Sequence, residues 1–449
     1  MKRRKRLLIV LLVLVLLLGG TYAVTVFNPE NGEEETVSET VFTVNTADVT
    51  AIGWDYREPL AFHKTEEGWA YDSDPAFPLD ETYLKAMLEE VEEITASKTI
   101  ENVEDWDPYS LEVPICQVTV TAGGTTYTLK IGEETALGGE RYLSIGDGNA
   151  YLVDADILAP FCYGLYDILK MESPPEMDSV LALEMNTADA YRIDHLENSG
   201  LAYSDAYVWF VENRALDTDL TEDLLANATA LNWQECADYN ATGLSQYGLD
   251  TPAGTIRVYY LVGQSGGTYA LEIGAACDGG YYARLADSGM VYTISSGVAE
   301  TLLHTTPEEL LPDEVLLMDW EQVTAIDISL DGETHTVTRS TETVTGDEGD
   351  QTEETVYRLS GETVDAQGIL DALDALDATG YATSLTPQRR EEIRFTIHRN
   401  HKTFPEVELA FYRYSSASCL VTLNGEATVF VSREAVVDLT EEVIKLLLS

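Results

Sequence analysis

Apolar and polar residues alternate with a period of two along much of this chain, and the alternation returns in the same setting. Tyr109-Ser-Leu-Glu-Val-Pro114 is followed by an alternating run, a Gly123-Gly124 pair and a second alternating run, Tyr127-Thr-Leu-Lys-Ile-Gly132. About 140 residues downstream the order recurs as Tyr247-Gly-Leu-Asp-Thr-Pro252, Ile256-Arg-Val-Tyr-Tyr-Leu261, Gly266-Gly267 and Tyr269-Ala-Leu-Glu-Ile-Gly274. Period-two patterning predicts strands with one covered face, and paired glycines predict hairpin turns. Recurrence of both together predicts an array of like units.

Taken in order, residues 41–52 alternate enough for a strand, and Leu60-Ala-Phe62 and Trp69-Ala-Tyr71 predict two more, forming a meander. Pro78-Leu-Asp80 then introduces residues 81–97, where Leu84, Met87, Leu88, Val91 and Ile94 fall at helical spacing behind Asp80 as N-cap. Strands follow at 115–121, 126–131, 141–145 and 150–153, with Asp147-Gly148-Asn149 as a turn. Residues 154–169 predict a closing helix bent or restarted at Pro160. Ser173-Pro-Pro175 marks a boundary, because paired prolines continue neither helix nor central strand.

The next unit opens at Val180-Leu-Ala-Leu183. It has a strand region at 205–211, a helix at 220–230 continuing weakly to Cys236, the repeated Tyr247 block, and a closing helix at 298–311 before Pro312. A third start, Val323-Thr-Ala-Ile326, echoes Val49-Thr-Ala-Ile52. It leads to an acidic excursion at 341–354, a helix at 365–378, strands at 393–398, 407–412, 418–423 and 428–431, an Asn424-Gly425 hairpin, and an amphipathic segment at 434–448. The excursion, with Asp347, Glu348, Asp350, Glu353 and Glu354, reads as a solvated hairpin tip or a disordered loop.

The fold class predicted is α+β: three tandem similar domains, each a mostly antiparallel sheet packed by two helices, behind an N-terminal transmembrane helix. The divisions are 1–6 cytoplasmic tail, 7–27 anchor, 28–44 acidic linker, and repeats at 45–175, 176–312 and 313–449.

The anchor rests on charge and hydropathy. Lys2, Arg3, Arg4, Lys5 and Arg6 are the only dense basic cluster, and residues 7–27 carry no charge. As a helix that segment would rise roughly 30 Å, enough to cross the hydrocarbon core. The basic residues then hold the N-terminus in the cytoplasm and place the remainder on the far side. The alternative is a cleaved secretory signal, with Thr21-Tyr-Ala23 as the cleavage site; it also exports everything after residue 28. No Cys follows the apolar block, which argues against a lipid-modified N-terminus.

Seventy-nine acidic against 26 basic residues give a net charge of −53, so a nucleic-acid partner would need a local basic patch, and the basic residues form none. The five cysteines, Cys116, Cys162, Cys236, Cys277 and Cys419, are dispersed and suit small buried hydrophobes better than a metal site or disulfide scaffold, although one pair could bridge after export. His398 and His401 are the closest histidines, yet residues three apart on a strand point to opposite faces. The Asp147-Gly-Asn149 and Asp347-Glu-Gly-Asp350 clusters lack the ligand series of a calcium loop. Neither a nucleophile elbow, a phosphate loop nor a dinucleotide fingerprint occurs, so no catalytic or cofactor-binding residue is assigned. Tyrosine is common, in Tyr259-Tyr260, Tyr281-Tyr282 and Tyr412-Arg-Tyr414, and Tyr281, Tyr282, Tyr412 and Tyr414 are the candidate binding residues, as rings for sugar or peptide; cross-strand packing is the competing role. Asn227-Ala-Thr229 and Asn240-Ala-Thr242 are glycosylation sequons by pattern.

The apolar N-terminal segment, the Val49-Thr-Ala-Ile52 start, Pro78-Leu-Asp80 before a helix, the Tyr109 to Pro114 block and Tyr127 to Gly132 together resemble the bacterial domain-of-unknown-function family four-three-four-zero. The likeness covers most of residues 45–312 and fades after them. It implies a single N-terminal anchor, an extracytoplasmic repeat region, and association with the permease and ATPase subunits of an ABC-type transport system of the kind linked to gliding-motility auxiliary proteins. The function expected is therefore that of a non-enzymatic accessory or scaffold protein held at the cytoplasmic membrane through residues 7–27. The alternative is a surface module that binds wall glycan or peptide.

Overall fold

A computed structural model describes residues 38–345, 351–382, 386–387 and 389–449. The basic tail, the predicted anchor at 7–27, most of the linker and the tip of the acidic excursion lie outside them. Among the described residues no helix is long and apolar enough to cross a membrane. The fold is α+β, built from antiparallel sheets with a few helices. It forms two compact units, one ending at Glu172 and one from Ser173 to Ser449.

The first unit holds an eight-stranded sheet in the order 68–71, 59–65, 49–55, 116–122, 125–134, 140–144, 150–154, 98–100, and every neighbouring pair is antiparallel. The chain lays down one edge as a meander and crosses the sheet through helix α1 (Glu81–Glu92). It adds the far-edge strand and returns to the centre for four strands in hairpin succession. Asp80 caps α1 by accepting from the Thr82 backbone N–H at 3.0 Å, and the Thr82 hydroxyl holds its carboxyl below the usual range. Leu84, Met87, Leu88 and Val91 form the stripe that α1 buries.

Several boundaries differ from those expected. The predicted strand at 41–52 is two strands, Glu39–Thr43 and Val49–Asp55, because Asn45 caps a 3-10 turn between them by accepting from Ala47 N. Helix α1 stops at Glu92 rather than at 97. Residues 93–96, with Ile94 and Thr95 β-branched, pair with Glu39–Thr43, so an available strand partner overrides the helical spacing of Ile94. Residues 154–169 form two 3-10 segments, Ala155–Phe161 and Leu165–Ile168, because Pro160 lacks an amide donor. The first sheet is thus packed by one α-helix and 3-10 turns, not by two helices.

The second unit contains two nine-stranded sheets. One runs 214–215, 209–211, 190–195, 179–186, 254–262, 265–277, 280–285, 291–295, 236–238; the other runs 362–364, 351–359, 333–345, 323–330, 391–399, 406–413, 418–423, 426–432, 378–381. Both follow the strand succession of the first sheet with one more strand at the outer edge. Helices α2 (Thr218–Thr229) and α3 (Ser296–His304) cover one face of the first of these sheets. Helices α4 (Gln367–Asp374) and α5 (Arg433–Leu448) cover one face of the other.

Here too three of the four helices stop earlier than predicted, while α5 covers the expected 434–448. Helix α2 ends at Thr229, and Leu231 and Asn232 take positive φ before strand Cys236–Asp238. Helix α3 ends at His304 ahead of a 3-10 turn opened by Pro307. Helix α4 gives way to strand Ala378–Tyr381. In the region 205–211 only Trp209–Val211 is strand, and Ala190–His195 is a strand that the sequence reading missed. The excursion at 341–354 is largely a strand pair, with Thr341 opposite Thr355 and Thr345 opposite Gln351.

Candidate functional site

The repeated Tyr block is a packing joint rather than a site. Asp107–Tyr109 and Ser245–Tyr247 are 3-10 turns ending in a left-handed residue, Ser110 and Gly248, which swings Leu111 and Leu249 into the core. The carbonyl of Tyr109 then lies against Gly132, where a Cβ would sit 2.1 Å from it, and the carbonyl of Tyr247 lies 2.2 Å from the equivalent position on Gly274. Glycine at the end of each Tyr-x-Leu-x-Ile-Gly strand is what allows the turn to close on the sheet. The most legible motif in the sequence therefore carries fold and no chemistry.

The four candidate tyrosines do not converge. Tyr281 and Tyr282 are adjacent on one strand and point to opposite faces. Tyr281 donates its hydroxyl to Glu300 Oε1 on α3 at 2.6 Å, and the Tyr282 ring meets Tyr247 edge-on at 5.0 Å between centroids. Tyr412 donates to Glu391 at 3.2 Å. Tyr414, with its ring 4.7 Å from that of Phe430, is 52% exposed. Tyr281 is thus engaged by helix α3, Tyr282 by the Tyr247 turn and Tyr412 by a strand neighbour, and no shared aromatic platform forms from them.

The uncovered faces of the second and third sheets carry cross-strand charge ladders instead. On the second, the Arg192 guanidinium lies 4.4 Å above the Tyr259 ring, the Tyr259 hydroxyl donates to Glu184 at 2.8 Å, and Arg284 donates to Glu272 at 2.8 Å. On the third, Arg394 reaches Glu391 and Glu408. His398 lies between Asp327 at 2.8 Å and Glu406 at 3.3 Å. The Thr336 hydroxyl and then His398 hold the Asp327 carboxyl below its ordinary range. Both ring nitrogens of His398 face carboxylates, so neither is free to take a proton from a hydroxyl. His401 is elsewhere, with Nδ1 accepting from Phe404 N at 3.0 Å and Nε2 3.4 Å from Asp205.

None of the five cysteines forms a disulfide. Cys116 and Cys419 are buried as expected, while Cys162, Cys236 and Cys277 are half-buried. Among the described residues no three His, Cys, Asp or Glu side chains are grouped to hold a metal. Asn227 of the first sequon sits on α2, where its amide donates to the Asp223 carbonyl at 2.9 Å.

Two clefts open on the second unit. One, of about 730 Å³, runs between α2 and α3 and is lined by Leu220, Asp223, Glu300, His304 and Glu309, with His304 3.2 Å from Glu300. The other, of about 590 Å³, lies beside α5 and gathers Arg389, Arg390, Arg413 and Arg433. This corrects the expectation that no basic patch exists beyond the N-terminal cluster. These four residues come from three separate segments, so linear density gave no direct sign of them. The available signal was that Arg389-Arg390 is the one adjacent basic pair after residue 6, and that seven of the 26 Lys and Arg fall between 389 and 433.

No curated protein and no solved structure is similar enough to the chain to match it. One family profile does match, over residues 69–160 and 211–395, and its matched blocks include both Tyr-turn-to-glycine joints, the central strands 116–122, 254–262 and 323–330, and the first half of 391–399. The match takes in well over half of the residues, and the chain accordingly belongs to the family described as Domain of unknown function (DUF4340).

Proposed function

We propose that this chain is a non-enzymatic, membrane-anchored extracytoplasmic accessory or scaffold protein that works beside an ABC-type transport system through three tandem lobes. The observation that carries the reading is the N-terminal arrangement: five consecutive basic residues followed by an uncharged apolar stretch over residues 7–27, ahead of a strongly acidic body. The state of the exposed sheet faces supports it. Their arginines, histidines and many of their carboxylates are already paired with one another, as at Arg284–Glu272 and Asp327–His398–Glu406. Such faces offer shape and fixed charge to a partner, and they lack a nucleophile held by a free base.

The wall-binding alternative relied on the tyrosines. Its support is narrower, since Tyr281, Tyr282 and Tyr412 are occupied and Tyr414 alone is more than half exposed.

Purification of the full-length protein from its native membranes in mild detergent, with identification of what accompanies it, tests the proposal. Recovery of permease and ATPase subunits is the expected outcome. A lone protein that is instead retained on wall material would replace the scaffold reading with the binding module.

A further inference from the structure

The cleft beside α5 is built from residues that the fold does not require. Each large sheet has a central strand laid down after the far-edge strand, at 116–122, 254–262 and 391–399. The two residues before it are Pro114-Ile115 in the first sheet, Pro252-Ala253 in the second and Arg389-Arg390 in the third. The following strand ends in Glu134, Cys277 and Arg413 respectively. The residue after the N-cap of the closing helical segment is Ala155, Ser296 and Arg433. The same strand succession therefore forms twice without an arginine at any of these places. In the third sheet all of them are arginine, and they line one cleft.

Four carboxylates, Asp331, Glu391, Glu392 and Glu441, line the cleft beside its four arginines, and because Glu391 is held from outside the lining one arginine is left over. Glu391 is held by Arg394, which is not part of the lining. Glu392 accepts from the Cys419 thiol and lies 3.6 Å from Arg433. Burial and then the Glu392 charge push that thiol up to about 11, so it stays a donor. Asp331 meets Arg390 at 3.4 Å in a pair that is largely exposed and contributes little. For Arg389 and Arg413 no carboxylate lies within ion-pair distance among the described residues. The Arg433 Nε–H is buried and has no hydrogen-bond partner. A buried donor left unsatisfied is costly, and guanidinium groups match the oxygens of phosphate and carboxylate two at a time. On one side the cleft is walled by Leu330, Val437 and Ile444, and Ile444 is 44% exposed.

We propose that this cleft is a binding site for an oxyanion, the phosphate or carboxylate group of a small molecule whose apolar part lies along Leu330, Val437 and Ile444. The exposed guanidinium groups of Arg389 and Arg413 provide the first contact, and Arg433 at the start of α5 provides the inner one. The site is independent of the tether and of any transport partner, because it rests only on the third lobe's own side chains.

Isothermal titration of the full-length protein in mild detergent at low ionic strength tests it, with pyrophosphate and citrate as separate probes. Saturable one-to-one binding of at least one probe is expected, weakened at least tenfold in both Arg389→Gln and Arg413→Gln. Arg214→Gln, on the second sheet's edge, should leave it unchanged. Stronger binding of pyrophosphate would assign phosphate, and stronger binding of citrate would assign carboxylate. Both arginines are exposed and, among the described residues, make no ion pair, so their variants should keep the wild-type melting temperature. Absence of saturable binding for both probes overturns the proposal, as does equal binding by the two cleft variants and the wild type.

Discussion

At the residue scale, glycine at two positions and two carboxylates decide the most. The Tyr109 and Tyr247 carbonyls close on Gly132 and Gly274 with no room for a methyl group, so a substitution there must push backbone and not a flexible side chain. Gly132→Ala and Gly274→Ala should each cost about 1–3 kcal/mol, read as a lowered urea midpoint with unchanged slope. Both glycines were visible in the sequence as punctuation. Their purpose was not, because close approach of a distant carbonyl leaves no mark in local patterning.

Glu90 behaves differently. Burial on α1, and then the Asp154 and Asp156 charges, raise its pKa above the ordinary 4.5. A folded-state pKa above the unfolded one means that the ionised carboxylate weighs against the fold at neutral pH, and that the effect disappears below about 4.5, where both states are protonated. Glu90→Gln should therefore melt higher than wild type at pH 7 and equal to it at pH 4. Asp80 has the opposite sign. Its pKa is lowered by Thr82, so its contribution is present above 3.8 and is lost as acid protonates the cap. Asp80→Ala should cost about 1 kcal/mol at neutral pH and progressively less in acid, measured by thermal melts across that range.

At the scale of elements, strands were legible and helix ends were not. The hairpins around Gly123-Gly124 and Asn424-Gly425 take the positive φ that their residues predicted, and the strands they join lie within a few residues of the alternating runs. Apolar spacing carries the expected helices through 93–96 and as far as Cys236 and Ala378, where strands 236–238 and 378–381 begin. Strand 93–96 pairs with Glu39–Thr43, and 236–238 and 378–381 are far-edge strands; each has its partner some 50 or more residues away, invisible to a local window. The α5 cleft was hidden for the same reason, since its arginines meet only through the sheet.

Strand Trp209–Val211 shows what such long-range packing adds. Trp209 and Val211 face the core of the second sheet, while Phe210, fully buried, faces the core of the third together with Tyr203 and Tyr207. One short strand thus serves two cores. Phe210→Ala should cost about 3–5 kcal/mol and, because both cores share the strand, the second and third lobes should still unfold in one transition. Separate transitions in a denaturant titration of this variant would show that the strand alone couples them.

At the scale of the molecule, residues 173–449 form one body through polar as well as apolar contact. Arg399 is 6% exposed and donates to the Tyr203 carbonyl and to Gln322 at 3.0 Å, while the Tyr207 hydroxyl donates to Glu314 at 3.1 Å. Burial raises both phenol pKa values, that of Tyr203 to about 12, so both remain hydroxyls through the neutral range. The sequence divided this body into two repeats with a boundary at Pro312. Its repeats are real as sheet plans, but the joint between them is made by residues spread over some 200 positions and carries no motif.

In the proposed topology this acidic body stands outside the cytoplasmic membrane on an uncleaved N-terminal anchor. The most direct measurement is the intact mass of the protein extracted from membranes, combined with protease treatment of intact cells or spheroplasts. The expected result is a mass that includes residues 1–27, recovered in the membrane fraction, with residues after 38 digested from outside. A soluble product beginning near Val24, or a body protected from external protease, would contradict it.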